Sequence, residues 1–274
     1  MLKTRIITAL VLMIGFLMAL FNTSGILWSF ITLAAVLIGI WEWSKLIKLN
    51  HTQLLVSVAC ALVIGLILTL ASMTSLGHYS DELVFILLGL STVFWIFVAP
   101  IWLITRKKIN HQLFLAILGI LLLLATWVAL NGLHSISPWL LLAVLGTVWL
   151  ADSAAYFAGK NFGRHKLAPE ISPGKTWEGV AGALLAVTFY GLVICYYMHI
   201  SRWLIVGLWL MVVLSIMGDL FESLLKRQAG VKDSSHLLPG HGGVLDRIDG
   251  LIPTLPLVLF YIYFPLFANL QLHA

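Results

Sequence analysis

Residues 113–133 read LFLAILGILLLLATWVALNGL, a stretch without a single charged side chain. An apolar helix needs about 20 residues to cross the roughly 30 Å hydrocarbon core of a bilayer. This stretch is long enough to cross it, and eight others resemble it. Their approximate limits are 6–21, 25–43, 54–73, 83–104, 138–159, 177–200, 203–225 and 251–270.

The composition agrees with this pattern. Of the 274 residues, 61% are hydrophobic and 10% charged, whereas soluble domains contain about 25% charged residues. This excludes a soluble globular enzyme and a disordered protein. The runs are continuous, not alternating, which argues against a transmembrane β-barrel. We therefore predict an all-α, polytopic helical membrane protein: a single membrane domain, 1–274, with about nine transmembrane helices. Cys60 and Cys195 lie inside apolar runs and suggest neither a disulfide framework nor a zinc site.

Lysine and arginine predict the orientation, because they concentrate in the cytoplasmic segments of membrane proteins. With a cytoplasmic N-terminus, 15 of the 16 basic residues lie inside, and Arg202 alone lies outside. Lys3 and Arg5 before the first run also fit a signal peptide, but no small-residue cleavage site follows. The positive charge thus reflects topology, and no nucleic-acid partner is expected.

Acidic residues separate the two halves of the chain. Residues 1–151 contain three acids and residues 152–249 contain eight. We predict N-terminal scaffold helices in 1–137 and catalytic helices in 138–270. The hydrophilic loops 160–176 and 226–250 both fall on the inner side, where function is expected.

Several of the acids lie within or beside apolar runs. Asp152 and Asp219 lie about 10 Å below the inner ends of their helices, where an ionised carboxylate is costly unless compensated. Each could make a helix-packing hydrogen bond or face a polar cavity open to the cytoplasm. Asp246 and Asp249 would share a face if their segment is helical. Converging carboxylates and substrate phosphates suit Mg²⁺, while pairing with neighbours such as Arg247 is the alternative.

The basic residues of the inner loops suit phosphate groups. Lys226, Arg227 and Lys232 precede Gly242-Gly243, where the backbone could approach an anion closely. In the other loop, Gly174-Lys175-Thr176 lacks the remaining features of a P-loop, but Lys175 stands at a helix start that favours anions. The histidines of these loops fit no zinc motif; they are His165, His236 and His241.

Residues 223–249 closely resemble the signature of the phosphatidate cytidylyltransferases, or CDP-diacylglycerol synthases. Residues 152–156, 159–166 and 171–179 resemble the same family in the same order, and 1–5 and 41–43 do so weakly. The overall pattern is most similar to the bacterial enzymes.

This resemblance implies a Mg²⁺-dependent reaction of CTP with phosphatidate that yields CDP-diacylglycerol and pyrophosphate. It implies a homodimer in the bacterial inner membrane, with the active site facing the cytoplasm, and leaves a second cation open. The metal carboxylates would be Asp219, Asp246 and Asp249, and the catalytic set adds Lys226 and Arg227. Substrate-binding positions carried over from the motif are Asp152, Ser172, Lys175, Thr176, Ser223, Lys232, Asp233, His241, Gly242, Gly243 and Arg247.

Two other functions fit some of these features. A transporter would also contain intramembrane acids, but its acids usually lie near the midplane and its halves match. A different lipid phosphotransferase, such as a polyprenol kinase or an enzyme that makes a CDP-activated isoprenoid lipid, is the closer alternative.

Overall fold

A computed structural model describes residues 2–71, 77–237 and 242–264. Helices account for most of them. The elements are α1 (Leu2–Asn22), α2 (Gly25–Leu46), α3 (His51–Ala71), α4 (Gly77–Val93), a π-helical segment (Phe94–Val98), α5 (Ala99–Thr105), α6 (Gln112–Ile136), α7 (Pro138–Phe162), β1 (Lys166–Ala168), β2 (Ser172–Thr176), α8 (Trp177–Met198), α9 (Leu204–Ala229), α10 (Leu245–Ile248) and α11 (Leu251–Tyr263).

Within these described ranges, seven helical segments are long and apolar enough to cross a membrane. They are α2, α3, the segment Glu82–Thr105, α6, α7, α8 and α9. Met13–Asn22 and Leu251–Tyr263 are shorter apolar helices. The prediction of an all-α polytopic membrane protein is confirmed. The number of nine spans and the cytoplasmic N-terminus remain predictions.

Local sequence explains where the helices nearest the polar residues begin and end. Thr176 caps α8 by accepting a 3.1 Å hydrogen bond from the Gly179 N–H, which satisfies a donor of the first turn. Pro138 occupies the first turn of α7, where no backbone donor is lost. Gly230, at φ 81°, ends α9 in the left-handed conformation that glycine adopts most easily.

The predicted loop 160–176 contains a short antiparallel hairpin that the sequence did not reveal. Lys166 pairs with Thr176 and Ala168 pairs with Ser172. Arg106, at the end of α5, forms an ion pair with Glu170 in the hairpin turn. We call the end of the bundle that carries this hairpin and α10 the loop end.

Tight packing holds the helices that reach the loop end. α7 makes its largest contact with α8, where Gly179 faces Ala155 and Gly182 faces Ala158. α6 packs between α2 and α11. Phe221 on α9 lies buried within an aromatic group, its ring centroid 5.2–6.3 Å from those of Trp43, Phe94, Trp95 and Trp102. The polar last turns of α9 are therefore anchored directly above a rigid core.

Candidate active site at the loop end

Three aspartates from different elements come together at the loop end, and we call them the aspartate cluster. Asp152 lies on α7, Asp219 on α9 and Asp249 between α10 and α11. Their charges interact with one another and with Lys175. The Lys175 ammonium lies 2.7 Å from Asp219 Oδ2. Lys175 thus brings a positive charge into contact with this group of carboxylates.

Hydroxyl and amide groups orient these carboxylates. The Ser215 hydroxyl donates to Asp152 at 3.4 Å, and the Ser223 hydroxyl donates to Asp219 at 3.2 Å. The Gly250 N–H donates to Asp249 Oδ1 at 2.8 Å. Burial raises the pKa of the Asp249 carboxyl, with added repulsion from Asp219, to about 7. Repulsion within the cluster therefore favours either protonation of Asp249 or a cation beside it.

A close approach of two helices makes the cluster possible. Gly218 precedes Asp219 on α9 and faces the carbonyl of Asp249 and the ring of Pro253. A Cβ atom at position 218 would collide with both. The absence of a side chain at this position lets α9 and the start of α11 approach closely enough to bring Asp219 near Asp249.

A second polar group lies on the side of α9 that faces α2 and α10. Lys226 is 8% exposed. Its ammonium donates to Glu222 Oε2 at 2.8 Å and to Asp246 Oδ1 at 2.5 Å. We call Glu42, Glu222, Lys226 and Asp246 the buried network. Glu222 also lies close enough to Asp249 for their charges to interact, so the network and the aspartate cluster are adjacent.

Asp246 has both carboxylate oxygens engaged in this network. Oδ2 accepts hydrogen bonds from the Ser234 N–H at 2.9 Å, the Ser234 hydroxyl at 2.8 Å and the Gly243 N–H at 2.8 Å. Burial opposes ionisation, but these donors and Lys226 outweigh it and lower the pKa of Asp246 to about 2. Asp246 thus holds Ser234 and Gly243 in place through these hydrogen bonds.

Glu42, on α2, extends this network to the N-terminal half of the chain. It is fully buried and accepts hydrogen bonds from the Val244 N–H at 3.0 Å and the Leu245 N–H at 2.7 Å. The hydroxyls of Ser235 and Ser234 lie 2.5 and 3.2 Å from its two oxygens. One carboxylate thereby holds two short segments, 234–235 and 244–245, against the helical core.

These positions alter the predicted grouping of the acids. Among the described residues, no three His, Cys, Asp or Glu side chains converge closely enough to hold a metal ion. The three-aspartate metal set of Asp219, Asp246 and Asp249 is therefore not assembled. Asp246 and Asp249 lie in one helical turn, since Asp249 ends α10 with helical φ and ψ angles, but their side chains make different contacts. Asp246 points into the network and Asp249 into the cluster.

The remaining carboxylates still suit Mg²⁺ in their chemistry. This ion usually takes one or two protein carboxylates and completes its shell with substrate phosphates and water. Asp219 and Asp249 are two hard oxygen donors that repel each other in the absence of a cation. The donor set thus fits Mg²⁺ through this pair, without Asp246.

The remaining residues of the predicted site lie in several different elements. Arg227 donates to the Ile171 carbonyl at 3.4 Å and so links α9 to the hairpin. Thr176 caps α8, Ser172 lies in β2, and Gly242 adopts a left-handed φ of 79°. Three further residues of the predicted site are exposed: Lys232, Asp233 and Arg247. His241 lies outside the described residues.

Sequence reasoning missed the anchoring role of Glu42 and of Ser234 and Ser235. Glu42 contributed only to a weak resemblance, and the two serines looked like ordinary loop residues. One signal was present: Glu42 is an acid inside an otherwise apolar run. Such a residue requires buried donors, which the loop backbone supplies.

Comparison with known proteins identifies the class. The cytidylyltransferase family matches residues 3–265, and the chain belongs to this family. It is 40% identical to a phosphatidate cytidylyltransferase of Pseudomonas aeruginosa, over 93% of this chain and 95% of that protein. A phosphatidate cytidylyltransferase of Haemophilus influenzae is 35% identical over 97% of this chain and all of that protein. One of Staphylococcus aureus is 45% identical over 47% of this chain and 48% of that protein.

Proposed function

We propose that this protein transfers the cytidylyl group of CTP to phosphatidate, forming CDP-diacylglycerol and pyrophosphate. Relatives with the matching name align over nearly the whole chain. The observation that carries the proposal is the aspartate cluster with Lys175, which lies where apolar helices meet the polar loop end. A nucleotide could reach this place from water and a lipid from the bilayer.

The chemistry of the two substrates requires no general base. A phosphate oxygen of phosphatidate is already anionic at neutral pH, so it can attack the α-phosphorus of CTP directly. A new P–O bond forms, the bond to the β-phosphate oxygen breaks, and pyrophosphate leaves with the electron pair. The protein must then position two anions, reduce their repulsion and stabilise the leaving group.

Different residues serve these needs. Lys175 lies at the cluster and can contact phosphate, and the exposed Lys232 and Arg247 lie on the segments beside it. Lys226 is buried between two carboxylates, and we assign it to positioning of the 234–246 segment. Arg227 positions the hairpin through Ile171.

The cofactor that suits this site is Mg²⁺, held by Asp219 and Asp249. When bound, it would supply positive charge to the phosphates of CTP. Asp152 adds negative charge beside the pair. The neighbouring hydroxyls of Ser215 and Ser223 keep the Asp152 and Asp219 carboxylates oriented.

The site faces the cytoplasm of a bacterium in this proposal, with the chain in the inner membrane. The distribution of 15 of 16 basic residues supports this orientation, as do the bacterial full-length relatives. The resemblance further predicts a homodimer, which analytical ultracentrifugation in detergent tests.

Purified protein incubated with labelled CTP and phosphatidate tests the reaction. We expect a CDP-lipid and pyrophosphate in the presence of Mg²⁺, with no product from ATP. Lys107→Ala and Arg202→Ala serve as controls that retain nearly full activity. Product from a polyprenyl phosphate and none from phosphatidate would overturn the proposed acceptor. Ion-driven solute flux without turnover would overturn the whole assignment.

A further inference from the structure

A cleft lies at the loop end, on a face of α9 other than the one that carries Asp219. Its volume is about 280 Å³, and it is bounded by the end of α2, the 106–112 connection and the last turn of α9. Leu46, Leu115 and Leu225 form an apolar floor, and Lys48 and Lys108 line the rim. Neither the reaction nor the family comparison assigns a role to this cleft.

The two lysines of the rim have no acidic partner among the described residues. Two glutamines of the cleft hold neighbouring backbone: Gln112 donates to the Lys48 carbonyl at 2.9 Å, and Gln228 donates to the Arg106 carbonyl at 3.4 Å. Lys48 adopts a left-handed φ of 57°. The backbone of the cleft is therefore fixed, while both ammonium groups remain available to an anion.

The surroundings indicate what kind of anion fits. Ile104 and Leu113, on either side of the 106–112 connection, are 80% and 65% exposed. They lie at the ends of segments that are long and apolar enough to cross a membrane, where exposed apolar side chains would meet acyl chains. A ligand with a phosphate and attached hydrocarbon could pair with the lysines and also contact these apolar side chains. Basic pockets between transmembrane helices bind anionic lipids in this way.

We propose that this cleft binds the phosphodiester head group of an anionic phospholipid, at a site separate from the reacting lipid. Lys48 and Lys108 pair with the phosphate, and the acyl chains lie against Ile104 and Leu113. Leu225 and Gln228 of the cleft lie on either side of Lys226 in the sequence of α9. A lipid bound in the cleft therefore stabilises the helix turn that carries Lys226 and the buried network. This inference does not depend on which reaction the protein catalyses.

Thermal unfolding of the full chain in a neutral maltoside detergent tests the proposal through tryptophan fluorescence. Dioctanoyl phosphatidylglycerol should raise the midpoint by about 3 °C, and added salt should reduce the shift. Dioctanoyl phosphatidylcholine and inorganic phosphate, at the same concentration, should leave the midpoint nearly unchanged. An equal shift with phosphatidylcholine would show that charge is not recognised, and an equal shift with phosphate would show a simple anion site. Either result overturns the proposal.

Matched variants assign the shift to the cleft. The double variant Lys48→Gln/Lys108→Gln should lose most of the shift, measured against its own lipid-free midpoint. Lys48→Arg/Lys108→Arg should restore it, and Lys107→Gln should retain it because Lys107 does not line the cleft. A full shift in the glutamine double variant would place the lipid elsewhere, including at the aspartate cluster, and would overturn the inference. Enzyme activity is not measured, so failure of the proposed reaction is a separate result.

Discussion

At the scale of single residues, two aspartates three positions apart have opposite roles. Asp246 is stabilised as an anion by Lys226 and three donors, whereas Asp249 is half-buried beside the like charges of Asp219 and Asp152. Removing charge from each should therefore affect different properties. Asp246→Asn removes the negative charge that pairs with Lys226 and replaces one of the two accepting oxygens with an NH₂ group, and we expect the free energy of unfolding to fall by about 3 kcal/mol.

Asp249→Asn should behave in the opposite way. The substitution removes a repelled charge without changing side-chain volume, so the unfolding midpoint should stay level or rise. Turnover should fall at least about 100-fold, because one of the two carboxylates proposed to hold Mg²⁺ is lost. Calorimetry and the labelled-CTP assay on both variants measure these changes. Near-normal turnover in Asp249→Asn would remove this residue from the proposed metal pair.

Glu42 tests whether a buried anchor outside the cluster controls activity. Glu42→Gln replaces one accepting oxygen with an NH₂ group that faces existing donors, at a cost of about 2 kcal/mol. We expect a lower unfolding midpoint, faster proteolysis within 232–237 and a reduced kcat. Glu170→Gln is the matched control, because its exposed pair with Arg106 contributes about 0–1 kcal/mol. Unchanged proteolysis and kcat in Glu42→Gln would contradict the anchoring role.

At the scale of elements, the contact between α9 and α11 determines the geometry of the cluster. Gly218→Ala places a methyl group against the Asp249 carbonyl and the Pro253 ring. Overpacking of this kind costs about 1–3 kcal/mol, and the displaced Asp249 should lower kcat more than it changes the KM for CTP. Gly207→Ala on the same helix meets no neighbouring atom within 4 Å and should leave both unchanged. Equal behaviour of the two variants would show that the contact is not critical.

The elements also show what the sequence could predict. Run length and the lack of charge sufficed for helices such as α6, because each lies in lipid or core along its whole length. The β1–β2 hairpin has no such signal, since its pairing is fixed by α7 and α8 on either side. The grouping of acids was only partly predictable: Glu42 contacts Leu245 across about 200 residues, and local spacing contains no information on that contact.

At the scale of the whole molecule, the aspartate cluster and the proposed lipid cleft both lie at the loop end. Their function therefore depends on which side of the membrane this end faces. The surplus of lysine and arginine predicts the cytoplasmic side. Single cysteines at Lys232 and Arg202, in a background with Cys60 and Cys195 replaced by serine, test this prediction. In intact cells, a membrane-impermeant maleimide should label Arg202→Cys and should label Lys232→Cys only after permeabilisation. The reverse pattern would place the proposed CTP-binding residues outside the cytoplasm, away from the nucleotide supply, and would contradict the proposed orientation.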